Sequence, residues 1–291
     1  MKRRLLLFVP VFVLGGLAGT VYLTGVASRK AEPEIERFFD LARLKEAPVR
    51  GDVGPYGIEG QVPRVYDFEY FTPTNTMFVM QLNSGYFDKY PLNMDQRVLK
   101  STQDAVTRAV EFMDAEGYEP HQYSILSVEE QDELSMVKGD FVGLPAYAVC
   151  YKVEIVTKEE LGRPALGARR VINFKFEAHE GQLISYHGTP RPVFGPWRVL
   201  VNESDALATA RGSFEESAPP SIYTELGWFL DRRGGGGLSR YLRSPAFAGY
   251  RFTFREPGWK QEQFISVVVH AETGEVIHRW DNSALHDDSD Y

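Results

Sequence analysis

The sequence predicts an α+β protein of antiparallel sheets packed by helices, with duplicated helix-strand-hairpin units and one N-terminal transmembrane helix. Three observations predict it: an uncharged apolar run at the start, alternating strand patterns broken by two amphipathic helices, and a stretch of chain that matches itself. At 291 residues, with 43% hydrophobic, 25% charged and 13% aromatic residues, the chain has the composition of a folded protein and room for a real core. Lys and Arg number 32 against 40 Asp and Glu, a net charge of −8, and the folded part carries no basic block, so nucleic acid is not expected as a partner.

Lys2, Arg3 and Arg4 precede Leu5 to Val26, 22 residues without a charge. As a helix this run spans roughly 33 Å, enough for a hydrocarbon core of about 30 Å. The alternative is a cleaved signal peptide, for which Gly25-Val26-Ala27 offers a passable site. Length favours the anchor, and either reading implies export. Arg29, Lys30 and Arg37 balance the three leading basic residues, but the short amino tail is expected inside and the bulk of the chain outside. Gly15 and Gly19 could seat a second helix, a spacing common by chance. Cys150 is the sole cysteine, so no internal disulfide is possible; its β-branched and aromatic neighbours read as a strand holding a buried thiol.

Beyond the anchor (1–30), Ile35, Phe38, Phe39 and Ala42 recur at helical spacing among charged residues, predicting an amphipathic helix. Pro48, Gly51, Gly54, Pro55, Gly57, Gly60 and Pro63 then read as linker, closing a 31–63 segment and placing the start of the compact domain near Arg64. Val65–Phe71 and Thr76–Leu82 read as a hairpin. Asp95–Glu116 reads as a helix with Ser101 or Asp95 as N-cap and Gly117 as its stop. Strands follow at Tyr147–Val156, Val171–Ala178 and Gln182–Tyr186, then a helix at Asn202–Ser217 and a short one at Ser221–Asp231 ended by the flexible Gly234–Gly237 run. Tyr250–Arg255, Phe264–Ala271 and Glu275–Trp280 read as three more strands, and 283–291 as a solvated acidic tail.

Val171 to Ile184 falls on Phe264 to Ile277 without a gap, with Ile172/Ile265, Ala178/Ala271, Gly181/Gly274 and Ile184/Ile277 identical. Gly181 and Gly274 fit structural turn positions, since a short reversal with a bulge needs one residue at positive φ. Upstream, Asp104 to Ala109 matches Asp205 to Ala210. The two units are therefore expected at 64–195 and 196–282.

Val269-His-Ala-Glu-Thr-Gly-Glu-Val276, behind a hydrophobic strand and a helix with small inward residues, resembles the PepSY and PepSY-like domains, and the first copy resembles them more weakly. Ala109 to Tyr118 is similar to a helix in the paired PepSY-like ectodomains of some CAAX-type membrane proteases, whose catalytic part this chain lacks. These families often place Asp before the turn, where this chain has Glu177 and His270. The resemblance implies small α+β modules outside the cytoplasmic membrane, without catalytic residues, that inhibit, sense or assist an envelope protein or peptide.

His270 and His278 are the weak candidates for metal ligands; on a hairpin they share a face diagonally, about 7 Å or more apart, which is loose for zinc, and surface histidines are the plainer reading. No Gly-x-Ser-x-Gly, His-Glu-x-x-His or phosphate-cradling loop occurs. No cofactor and no catalytic residue are expected. The expectation is a single-pass extracytoplasmic binding or regulatory module contacting membrane lipid through its first helix and an envelope protein or peptide through the rest. The alternatives are an envelope hydrolase with polar side chains converging in one pocket, or a lipid or glycan carrier with a large apolar cavity.

Overall fold

The computed structural model describes residues 31–45, 58–62, 66–71, 73–74, 76–82, 93, 95–133, 148–215, 217–231 and 245–283. The expected membrane helix at Leu5–Val26, the Gly234–Gly237 loop and most of the acidic tail lie outside them. Among the described residues no helix is long and apolar enough to cross a membrane. In chain order the elements are helix α1 (31–41), β1 (Ile58–Val62), β2 (Tyr66–Phe71), β3 (Thr76–Leu82), α2 (Thr102–Ala115), β4 (Tyr123–Glu133), β5 (Ala148–Thr157), β6 (Glu159–Glu160), β7 (Arg163–Pro164), β8 (Val171–Glu177), β9 (Leu183–Gly188), α3 (Glu203–Gly212), β10 (Ser221–Phe229), β11 (Phe247–Phe254), β12 (Phe264–His270) and β13 (Val276–Asn282). The result is a mixed α+β architecture of antiparallel sheets.

Two compact units share the chain unevenly: the first comprises residues 1–119, 125–156 and 171–190, the second 120–124, 157–170 and 191–291. The first holds a sheet of order β1-β2-β3-β9-β8-β5-β4. Alternation along β8 turns Ile172, Phe174 and Phe176 inward, where they meet the helices. Phe112 of α2 lies 5.4 Å from the Phe174 ring and 5.3 Å from Phe38 of α1, and Phe39 lies 4.6 Å from Tyr66. The apolar stripe Ile35, Phe38, Phe39, Ala42 is thus buried on the first sheet. Here the expected boundary near Arg64 is corrected. Helix α1 and strand β1, which was read as linker, belong to the first unit, because that stripe packs on the aromatic core and β1 pairs in register with β2.

In the second unit β10-β11-β12-β13 form a four-stranded antiparallel sheet. Ala206 and Ala210 of α3 pack on Tyr250, Phe252, Phe254, Ile265, Val267 and Val269, which covers one face of it. The helix expected at Ser221–Asp231 is instead strand β10. The apolar spacing Ile222, Leu226, Phe229 suits a helix, but pairing with β11, continuous from Tyr223↔Thr253 to Phe229↔Phe247 after a register shift at Ser221, satisfies most of its backbone, and Gly227 would weaken a helix. Strands β4 and β10 both escape a reading based on strict apolar alternation.

Each unit runs helix, then four sequential antiparallel strands: α2 with β4, β5, β8, β9, and α3 with β10 to β13. The helix caps agree, Ser101 Oγ accepting the Asp104 N–H and Asn202 Oδ1 the Asp205 N–H. The hairpins agree in register and in the bond that closes each turn. Lys175 pairs Ser185 and Phe176 pairs Leu183 across a register shift; Val268 pairs His278 and Val269 pairs Val276 across the same shift. The turn bonds Glu177 N–H to Gln182 O and His270 N–H to Glu275 O correspond, as do the tethers Leu99 N–H to Ala178 O and Leu200 N–H to Ala271 O. Gly181 and Gly274 sit at φ +69° and +74°, the left-handed conformation that a Cβ penalises.

Cys150 is fully buried in β5, and burial, aided by the Glu177 carboxylate, pushes its thiol up to about 12.

Candidate functional site

The described side chains converge at two places, one within each unit. In the first unit the turn after β8 is built on Glu177, whose buried carboxylate accepts three backbone N–H groups: His179 at 2.8 Å, Glu180 at 2.7 Å and Gln182 at 2.9 Å. The turn also ties down its surroundings. Val98 N–H donates to His179 O, Leu183 N–H to Ala42 O, and the Arg43 guanidinium to Glu180 O. Burial raises the Glu177 pKa against the pull of those N–H groups and of His179, so desolvation outweighs the bonds. Cys150 stands opposite Glu177 in the ladder, and its thiol is too poorly ionised to act as a nucleophile. This is a structural joint.

In the second unit His270 occupies the Glu177 place, and its Nδ1 accepts the Glu272 N–H at 3.1 Å. The ring stacks on Phe247 with centroids 4.4 Å apart. His278 pairs with Val268, two residues before His270, so the two histidines share one face diagonally, with His278 exposed. Among the described residues no group of three or more His, Cys, Asp or Glu could hold a metal. His270 is thereby committed to the turn and His278 faces a different feature.

That feature is a cleft of about 100 Å³ on the face of the second sheet opposite α3, lined by Leu166, Arg251, Val268, Ile277, His278 and Trp280 among others. Ladder pairing places its parts in rows. Glu225, Arg251, Val268 and His278 stand side by side across the four strands, and Tyr223, Thr253, Ser266 and Trp280 form the next row. Phe229, Val268 and Ile277 cluster as its apolar floor, and Leu166 packs against them. Glu225 accepts from Arg251 Nε at 2.8 Å and from its Nη2, which fixes the guanidinium.

Three glycines shape the end wall. Gly227 and Gly249 pair across β10 and β11. A Cβ on Gly227 would lie 2.5 Å from the Pro164 carbonyl oxygen and 2.7 Å from Leu166 Cγ, and one on Gly249 2.9 Å from the Phe229 ring. A Cβ on Gly167 would lie 2.5 Å from that ring. Pro164 and Leu166 therefore lie directly on Gly227, and the Phe229 ring lies close against both Gly167 and Gly249, because these positions lack side chains. Gly227→Ala is expected to cost about 1–3 kcal/mol, because a backbone oxygen rather than a flexible side chain must move. Urea denaturation measures it, and an unchanged midpoint would show that the contact is slack.

The equivalent face of the first sheet has the opposite character. Lys152, Lys175, Asn173, Ser185 and His187 hold the positions of Arg251, Val268, Ser266, His278 and Trp280, and Lys152 and Lys175 stand directly opposite each other. The same backbone thus carries a polar face in one unit and an apolar cleft in the other. The expected residues Gly181 and Gly274 hold the turns. Arg251, Val268, Ile277 and Trp280 were not singled out from the sequence, although the period-two pattern of β11 and β12 puts the first two on the helix-free face.

No family model matches this chain, and no curated protein does either. Among solved structures, the C-terminal domain of YpeB from Bacillus megaterium is similar over 89% of this chain and 97% of that one, at 12% identity and a TM-score of 0.35. A superposition that loose carries no assignment.

Proposed function

We propose that this chain is a non-catalytic binding or regulatory module with two PepSY-like units, held at the outer side of a cytoplasmic membrane by its first helix and acting on an envelope protein or peptide. The contrast between the two helix-free faces carries the reading. Where the first unit carries the half-buried Lys152 and Lys175 on this face, the second sets an exposed Trp280 beside the buried apolar floor of Val268 and Ile277, a composition suited to contact rather than solvation. Shared caps, tethers and hairpin register support two copies of one module, in keeping with the sequence resemblance around Val269–Val276. The placement rests on the uncharged run Leu5–Val26. The non-catalytic reading rests on Glu177, whose carboxylate is taken up by three backbone N–H groups.

Fractionation of cells making the full chain with a C-terminal tag tests the placement. The protein is expected in the membrane fraction, with the tag removed by protease added to spheroplasts. A tag protected from that protease, or full-length protein in the soluble cytosol, refutes it.

A further inference from the structure

We propose that the cleft of the second unit captures the C-terminal end of an extended peptide, with the last side chain on Val268 and Ile277 and the terminal carboxylate between Arg251 and His278. This deepens the binding role proposed above and rests on it. Donor placement decides the polarity of the ligand, since the Arg251 charge is already paired with Glu225. The titratable residues lining the cleft are Arg251 and His278, both donors, and Glu225 is not among the lining residues. Nε and Nη2 of Arg251 go to Glu225, which leaves Nη1 to donate to an incoming carboxylate. Val268 lies between Arg251 and His278 in the ladder, so an apolar group resting on it brings a neighbouring carboxylate within reach of both.

Size decides the rest. Apolar cavities of about 150 Å³ take a benzene ring, so 100 Å³ holds one branched aliphatic side chain and not a long acyl chain. Strand β13 supplies the remaining selectivity. It pairs with β12 on one side and with no other strand among the described residues, and His278, Arg279, Trp280 and Asp281 along it are exposed. An extended peptide can add to such an edge through main-chain hydrogen bonds, which an acyl chain cannot do. Exposed Trp280, edge-on to Phe264 at 6.3 Å, then walls the cleft beside the penultimate residues.

The test uses the full chain in detergent micelles and fluorescein-labelled decapeptides that differ only at the last residue. Peptides ending in Leu or Val with a free carboxylate are expected to bind, and amidation of that carboxylate or a final Asp to weaken binding about tenfold or more. Arg251→Gln is expected to abolish the difference between acid and amide, and Val268→Lys, which installs the first unit's residue, to abolish binding; thermal unfolding checks that both variants fold. Equal binding of acid and amide by the wild type overturns the proposal without appeal to any variant. So does laurate displacing the Leu peptide at equal concentration, which would make the ligand a fatty acid. Binding of none of the peptides also overturns it, while the protease-accessibility result still stands or falls by itself.

Discussion

Glu177→Leu is expected to destabilise the first unit by about 3 kcal/mol or more, because it strands three buried N–H groups at once and an orphaned buried donor costs about 1–3 kcal/mol. The loss should spread. The turn those bonds hold also receives Val98 and Arg43 and sits against Leu99, so the segment before α2 and the end of α1 loosen with it. Glu177→Gln keeps one carbonyl acceptor and is expected to cost less, and it carries a pH signature. Burial raises the native Glu177 pKa, so the folded chain binds that proton more tightly than the unfolded one. The stability this group contributes is full below the unfolded value of about 4.3 and is lost as pH rises through the native value. Urea midpoints measured from pH 4 upward should therefore fall for the wild type by an increment that Glu177→Gln lacks. A Leu variant as stable as the wild type would show that the N–H groups find other acceptors.

Phe112→Ala should cost about 3–5 kcal/mol, the usual range for removing a buried ring. The ring meets three others on two elements: Phe38 of α1 at 5.3 Å, and Phe174 and Phe176 of β8 at 5.4 and 6.1 Å. It is 2% exposed, so no water fills the gap cheaply. The Arg108 guanidinium lies 5.9 Å from it and donates to Leu41 O, so the vacancy also disturbs the seat of α1. Chemical denaturation reads the loss, and helical circular dichroism should report earlier melting. A cost below about 1 kcal/mol would mean that the neighbouring phenylalanines close the space.

Much of this architecture was legible in the residues. The stripe Phe38, Phe39, Ala42 and the pattern Ala105, Ala109, Phe112 announce helices because burial repeats every three or four positions. The ungapped match of Val171–Ile184 with Phe264–Ile277 anticipates one register used twice. Strand β10 was hidden because Gly227, Trp228 and Phe229 are buried in succession and break the alternation, and Ile222, Leu226 and Phe229 fall by chance at helical intervals. Strand β4 was hidden because Glu129, Glu130 and Gln131 give an edge strand the look of a loop. The cleft was beyond reach for another reason. Its wall depends on Gly227 and Gly249 being neighbours across two strands and on Pro164 and Leu166 lying over Gly227, and neither adjacency exists in one dimension.

Cys150 has a practical corollary. A sulfhydryl sealed in β5 and almost never ionised at neutral pH neither trades disulfides nor scavenges copper or zinc. With that thiol sealed, the chain holds no cysteine that a reducing or an oxidising medium would convert, so the same covalent thiol state persists in either.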